Sequence, residues 1–546
     1  MLIAGRYGVA ALGWITGVVI IRTLTASEFG QYSLIFSLLG IIGFVSELRI
    51  SRIVLQKVLR ARDADEASQV MGSYTTLRLV IGAAAYLLAM LVVGIGYFVG
   101  WYPMSVVQAT AVGGLVVIIA SVAYGLTLLF EARLWLGSIA ASNFWAQVAQ
   151  LGATALFAAL GIGSVLLFAW ANVVNAVVTA LWLLWAIRHV ARIRLRFDRG
   201  QWIEWLKEGA PLAIGAALDT VYFRIDIVML SVLDTFHAVG VYSVGYKFSD
   251  LLGAVPTAVV TPAMTLMVKA WPDDPVAFRA TFRHTLILLV VGSTGAAVGF
   301  GVFANPLMVH LYGEQYASGV YAARLLVVGQ ALHFFTVLAF ITLVSAGRNR
   351  LYPIATLTGV VLNVVLNIVL IPRFSYNGSG WATIITETAV MCVLGIGVAR
   401  IGGLRPLPWW PIGKCFFAAA VMYVAGEAML GHVFWPVAGV IDGLIYLGIL
   451  HVTRVDGPGG LRALLHGGAV DALDPTAAAP VVSVDGEPEL GPAFEMALAT
   501  AEMDDTPVAD PDAPPDASHP DDALPSREGK SSRRERRQAR RRFRRG

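Results

Sequence analysis

Residues 75–99 read Thr-Thr-Leu-Arg-Leu-Val-Ile-Gly-Ala-Ala-Ala-Tyr-Leu-Leu-Ala-Met-Leu-Val-Val-Gly-Ile-Gly-Tyr-Phe-Val, a run whose one charged side chain is Arg78. As a helix such a run covers about 30 Å of hydrocarbon, the thickness of a bilayer core. Runs of this kind recur from the N-terminus to about position 452. Of 546 residues, 57% are hydrophobic and only 14% charged, and the mean hydropathy is +0.70. Soluble domains average about 45–50% apolar and 25% charged residues, so a water-soluble core is excluded. In hydrocarbon only helices and closed barrels satisfy their own backbone. The runs lack the ten-residue apolar/polar alternation of barrel strands. The expected fold is therefore an all-α polytopic membrane protein.

Fourteen spans are expected, at about 3–22, 31–50, 75–99, 104–130, 140–161, 164–187, 209–233, 243–267, 284–304, 323–345, 352–371, 379–400, 411–430 and 433–452. Basic residues alternate between the connections. The second holds Arg49, Arg52, Lys57, Arg60 and Arg62, and the sixth holds Arg188, Arg192, Arg194, Arg196, Arg199 and Lys207. Lys269, Arg279 and Arg283 follow in the eighth, Arg348 and Arg350 in the tenth, and Arg400, Arg405 and Lys414 in the twelfth. Short cytoplasmic loops carry such an excess, which puts both termini in the cytoplasm. Arg373, on the outer side, and the fourth connection, with only Arg133, fit this pattern least.

Phe29-Gly-Gln-Tyr-Ser33 is echoed by Val239-Gly-Val-Tyr-Ser243, each ahead of an even-numbered span. Equivalent points an even number of spans apart enter the membrane in the same direction, so the repeat relates two six-helix lobes by an axis along the membrane normal. The expected organisation is a lobe over 1–190, a cytoplasmic linker over 191–208, a second lobe over 209–400 and a terminal helix pair over 401–455. In the linker, Gln201-Trp-Ile-Glu-Trp-Leu-Lys207 sets Trp202, Trp205 and Leu206 on one face. That face suits either a short helix lying in the interface or an extension of the seventh span. An acidic, Pro-rich segment over 456–526 is expected to be disordered. A polybasic tail over 527–546 follows it, suited to anionic lipid head groups or to the chain's own Asp504, Asp505, Asp510 and Asp512. Nucleic acid is not an expected partner, since no folded nucleic-acid module accompanies the charge.

The chain carries no Walker loop, His-Glu-x-x-His, paired-Cys motif or nucleophile elbow, which leaves enzymatic readings and a bound cofactor or metal without residues. Cys392 and Cys415 have neither metal-ligand nor disulfide spacing. Ionisable residues inside the spans are costly in lipid and point to a polar cavity or to one another. Asp219-Thr-Val-Tyr-Phe-Arg-Ile-Asp226 is the richest stretch. Within it, Tyr222 and Asp226 share a helical face, whereas Arg224 and Asp226 do not. The next span adds Tyr246, Lys247 and Asp250. Arg224 and Lys247 suit a phosphate-bearing ligand. The competing reading pairs Arg224 with Asp219 or Asp250 to hold helices together. Glu387, inside the twelfth span, is a candidate for cavity lining or proton coupling, or else a structural carboxylate. Asn363 and Asn367 form a stripe suited to bridging helices by hydrogen bonds. Arg6 and Arg22 lie at span ends, where snorkelling to the interface explains them. His310 and His333 stand alone and point to no ligand.

Three stretches resemble the polysaccharide-biosynthesis flippases, Wzx-like members of the multidrug/oligosaccharidyl-lipid/polysaccharide exporter superfamily. Arg22-Thr-Leu-Thr-Ala-Ser-Glu-Phe-Gly-Gln-Tyr32 is similar to that family's Arg-x-Leu-x-x-x-Glu-Phe-Gly-x-Tyr. Arg224-Ile-Asp226 with Val239-Gly-Val-Tyr-Ser-Val-Gly-Tyr-Lys247 resembles its signature for helices seven and eight. Ala346-Gly-Arg-Asn-Arg350, Leu362-Asn-Val-Val-Leu-Asn-Ile-Val-Leu-Ile-Pro-Arg373 and Gly380-Trp-Ala-Thr-Ile-Ile-Thr-Glu387 carry the most specific likeness. Arg-Phe-Ser-Tyr-Asn-Gly-Ser-Gly at 373–380 departs from the Gly- and Ala-rich turn expected there. The resemblance implies flipping of a polyprenyl-diphosphate-linked oligosaccharide across the cytoplasmic membrane by alternating access, with the final helices offering the lipid tail a groove. Its alternatives are a multidrug antiporter of the same superfamily, which favours cavity carboxylates, and a membrane scaffold that recruits glycan-assembly enzymes.

Overall fold

Wherever the sequence places an apolar run, a computed structural model of the chain has a helix. It describes residues 2–47, 50–133, 135–188, 195–348, 350–401 and 407–455, with side chains except at 2–7, 44–47, 52, 64, 210–217 and 219. The expected acidic linker and basic tail, together with Arg49, Arg192, Arg194 and Arg405, lie outside the described residues, as do the side chains of Arg6 and Asp219.

The helices are α1 (Leu2–Thr23), α2 (Ala26–Glu47), α3 (Ile50–Leu59), α4 (Ala64–Val99), α5 (Met104–Gly113), α6 (Leu115–Ala132), α7 (Leu136–Ala159) and α8 (Val165–Ile187). Then follow α9 (Arg199–Leu233), α10 (Phe236–Ala270), α11 (Pro275–Tyr312), α12 (Val320–Ser345), α13 (Leu351–Ala399), α14 (Trp409–Met429) and α15 (Trp435–Val452). A 3-10 turn, Glu314–Gly319, joins α11 to α12. Among the described residues there is no strand, and nine helical stretches are long and apolar enough to cross a membrane, with α5–α6 taken as one and α13 counted once.

Two features correct the sequence reading. Residues 50–59, expected as a basic connection, form the amphipathic helix α3, whose Ile50 and Val54 pack under α4 and α6. Residues 199–208 are the first turns of α9, so the extension reading holds rather than a separate interfacial helix. Trp202 and Trp205 face protein instead of lipid. The Trp202 indole donates to the Ser73 carbonyl and hydroxyl, each at 3.1 Å, and Trp205 is fully buried.

The packing is arranged around the place where α2 crosses α10. The two echoed motifs lie inside the first turns of these helices, not ahead of them as expected. A Cβ on Gly30 would stand 1.9 Å from the Phe236 carbonyl oxygen, and one on Gly240 would stand 1.8 Å from that of Ala26. Each glycine therefore meets the carbonyl four residues ahead of the other glycine. The contact is reciprocal, as a local two-fold demands, and backbone meets backbone with no side chain between. Helical glycine costs about 1 kcal/mol relative to alanine, so its presence on both sides marks a contact worth more than that.

Around this crossing the residues of the 22–32 motif fasten one end of the bundle. Arg22 donates to the Leu311 carbonyl at 2.8 Å and also to that of His310, capping the carbonyl end of α11, where a cation is favoured. That replaces the expected snorkelling. Thr25 and Glu28 form a reciprocal capping box at 2.9 and 3.3 Å. Gln315 bridges the corner, accepting from Ala26 N at 3.1 Å and donating to the Leu24 carbonyl at 3.2 Å. Phe29 meets Tyr316 edge to face.

The segment at 373–380 is a bend inside α13. Ser375 takes φ 53°, ψ −142°, a region that strongly favours glycine, and the chain doubles so closely that a Cβ on Gly378 would lie 2.3 Å from the Leu370 carbonyl oxygen.

Gly30→Ala and Gly240→Ala should each lower the melting temperature in detergent by several degrees, whereas Gly40→Ala, in open space on the same α2, should leave it unchanged or raised. Equal melting of all three would refute the crossing. Ser375→Gly should stabilise by about 1 kcal/mol by relieving a strained backbone, read from the same melts.

Candidate functional site

Two to three turns in from the Gly240 crossing, at about 1.5 Å per residue, α10 presents Lys247 and Asp250 beside Arg224 of α9. All three carry accessible side chains. Arg224 approaches Asp250 at 3.4 Å, and its guanidinium lies over the Tyr246 ring, 5.7 Å from the centroid. Lys247 lies within electrostatic reach of both charges. An ion pair this exposed is worth about 0–1 kcal/mol, so a ligand with a stronger claim on the guanidinium displaces the carboxylate. Among the described side chains, the cluster sets two cations against one carboxylate.

Asp226 is on the other side of α9, as the two-residue spacing from Arg224 requires. It is buried and accepts from the hydroxyls of Tyr242, at 2.7 Å, and Tyr246, and from its neighbour Ile227 N at 2.8 Å. Ser379 of α13 donates to the Tyr242 hydroxyl at 3.1 Å. The structure thus takes Asp226 out of a ligand's reach and makes it the pin that holds α9, α10 and α13 together. Tyr246 divides its roles, with its hydroxyl on Asp226 and its ring under Arg224.

Glu387, on α13, is a second buried carboxylate. Tyr222 donates to it at 2.7 Å and Thr336 at 3.2 Å, and the His333 ring nitrogen approaches at 3.3 Å. A cavity of about 30 Å³ opens beside these donors, lined by Tyr222, Phe223, His333 and Thr336, enough room for a water. His333, which stands alone in the sequence, is thus brought to Glu387 from 54 residues away. Asn363 and Asn367 are buried, but Asn367 donates back to Asn363 within the same helix, at 2.9 and 3.0 Å, instead of bridging helices.

Uncharged residues, which the sequence reading passed over, form a matching polar ladder in the first eight helices. Asn172 donates to the Tyr32 hydroxyl at 2.9 Å, Gln150 donates to Asn172 and accepts from Asn175, both at 3.0 Å, and Gln147 donates to Thr16 at 3.3 Å. Tyr32 and Tyr242 are the tyrosines of the two echoed motifs, and each meets a polar residue on the last helix of its own half. A repeat comparison extended to partners would have found them.

The family model described as polysaccharide biosynthesis protein matches residues 19–321, over half of the chain. An uncharacterized membrane protein of Methanocaldococcus jannaschii is 22% identical over 200 residues, which are 36% of this chain and 46% of that one. The chain's match thus spans about half the length of that curated relative. Among solved structures, the lipid II flippase MurJ in an inward closed conformation is similar at TM-score 0.67 and 13% identity, over 83% of this chain and 99% of MurJ. A multidrug resistance transporter of the MATE family, facing inward, gives 0.57 and 17%, over 72% and 96%. A transporter from Pyrococcus furiosus gives 0.51 and 14%, over 74% and 95%. Both transporters are members of the MOP superfamily, and at these identities the likeness establishes a shared fold.

Removing one donor from a buried carboxylate costs about 1–3 kcal/mol. Tyr222→Phe and Tyr242→Phe should each destabilise the protein by that amount in denaturant melts, and Arg224→Ala by less than 1 kcal/mol. A reversed order would show that Arg224–Asp250 is the structural pair.

Proposed function

Because this chain belongs to the polysaccharide biosynthesis protein family, we propose that it flips a polyprenyl-diphosphate-linked oligosaccharide across the cytoplasmic membrane for cell-envelope polysaccharide assembly. The observation that carries the reading is the accessible pair of cations, Arg224 and Lys247, on two neighbouring helices of a multi-pass helical protein. A diphosphate offers oxygens for a bidentate guanidinium and a point-charge ammonium. Asp250 occupies Arg224 in the absence of a ligand, and release from that weak pair accompanies binding. A multidrug cation antiporter is supported less well, since Asp226 and Glu387 are spent on tyrosine and threonine donors.

In this reading fourteen spans form two six-helix lobes, 1–190 and 209–400, with α14 and α15 as a further pair beside the second. Alternating basic connections support cytoplasmic termini. The Gly30–Gly240 crossing and the Arg22 cap then close the outer end, and the charge cluster opens toward the cytoplasm. Glu387, with its His333 and Tyr222 partners, is the candidate coupling carboxylate. The polybasic tail over 527–546 binds anionic head groups, and the segment from 456 onward offers a surface for glycan-assembly enzymes.

In proteoliposomes carrying a fluorescent undecaprenyl-diphosphate oligosaccharide, Arg224→Ala and Lys247→Ala should each cut flipping about tenfold or more, the loss of one charged contact. Asp250→Asn should retain it. Unimpaired flipping in both alanine variants would remove the binding site proposed here. Truncation after residue 455 separates transport from scaffolding: a flippase keeps its activity in liposomes, whereas a scaffold has none there with or without the tail.

A further inference from the structure

Arg373, the cation that fits the charge alternation least, stands over a groove that the flippase reading does not use. A space of about 910 Å³ lies between the end of α9, the start of α12 and the two arms of α13, with Arg373, Asp234 and Asn377 at its mouth. Ser375, at the bend between the arms, is part of its wall. From the mouth, Asn377, Trp381 and Ile385 follow one another at four-residue intervals down a single face of the second arm, about 12 Å along its axis. Trp381 and Ile385 are both more than 40% exposed, as are Tyr321 and Phe374 beside them. On the first arm Val361, Val365 and Ile368 are equally exposed and apolar.

Among the described residues Arg373 has no hydrogen bond or ion pair. Asp234, which also lines the space, accepts from the neighbouring Thr235 N at 2.7 Å through one oxygen. A lone guanidinium above an apolar, aromatic-lined strip matches an amphiphile with a phosphate at one end and a hydrocarbon chain at the other. The charge count selects among such molecules. One cation balances a phosphodiester, which carries a single charge, while Asp234 beside it disfavours a second phosphate and is matched by an ammonium on the head group. Bound to Arg373 and Asn377, such a lipid lays its chain over Trp381 and Ile385.

We propose that this groove is a binding site for one glycerophospholipid with an amine-bearing phosphodiester head group, of the phosphatidylethanolamine type. The site is distinct from the Arg224–Lys247 cluster, and only its assignment to the outer leaflet rests on the topology proposed above.

The test is native mass spectrometry of the delipidated full-length protein titrated with dioleoyl-phosphatidylethanolamine, dioleoyl-phosphatidylcholine or undecaprenyl phosphate. One phosphatidylethanolamine should bind ahead of the rest, and Arg373→Ala should weaken that first site about tenfold, the effect of one charged hydrogen bond. Trp381→Ala should weaken it as well, and Arg373→Lys should largely preserve it. Arg373→Gln, a milder change at an exposed position, must show the same loss if the alanine variant folds poorly. An unchanged first site in Arg373→Gln overturns the proposal. So does phosphatidylcholine bound equally tightly, which removes the head-group selectivity, or undecaprenyl phosphate bound more tightly through Arg373, which assigns the groove to the carrier lipid. Flipping by Arg373→Gln is measured alongside, so that loss of this site and loss of the flippase reading are read separately.

Discussion

Two helices can touch backbone to backbone only where neither has a side chain to put between them. Gly30 and Gly240 supply that condition once on each side of the α2–α10 crossing, and much of the architecture is arranged about it. The capping box at Thr25, the Arg22 cap on α11 and the Gln315 bridge all lie within a few residues of the crossing, and each satisfies backbone groups that a helix end leaves unpaired. Dispersion and local hydrogen bonds hold the contact, since lipid gives apolar helices little reason to associate. A contact of that kind depends on fit, and a displacement of a single methyl group is enough to open it.

Below the crossing, polar groups are sorted by accessibility. Asp226 and Glu387 are buried with two or more donors each, the condition under which a carboxylate is tolerated away from water. Arg224, Lys247 and Asp250 remain accessible and loosely paired. The same few turns of α9 and α10 therefore hold both a rigid element and an exchangeable one. Tyr246 joins them, through its hydroxyl to Asp226 and its ring face to Arg224, so the position of the mobile charge is fixed by the buried one.

Most of the fold was legible in the sequence because membrane helices announce themselves by length and hydropathy. What escaped was local. α3 lies in a stretch rich in basic residues and reads as a connection, since charge alone does not distinguish an amphipathic helix from a loop. Trp202 and Trp205 share a face suited to lipid, and only the tertiary position of α4 shows that protein covers it. The charged site residues were legible as a cost that some partner must offset, but the partners were not. Sequence spacing relates residues on one helix, whereas Glu387 meets Tyr222 and His333 across 165 and 54 residues. The ladder through Tyr32, Asn172 and Gln150 was invisible to a search for charge.

One helix has a mechanical consequence for everything around it. At 35 residues α9 is about 52 Å long, well beyond the hydrocarbon thickness. Its first turns are anchored by Trp202 and Trp205 in the core of α3, α4 and α6, and its later turns lie against α2 and α13. A helix of that length, held at both ends, ties the two regions together. Any displacement of one region relative to the other must bend α9 or draw its indoles from their sockets. Arg224 lies on the far portion of the helix, so the place of its guanidinium beside Lys247 and Asp250 depends on that anchorage.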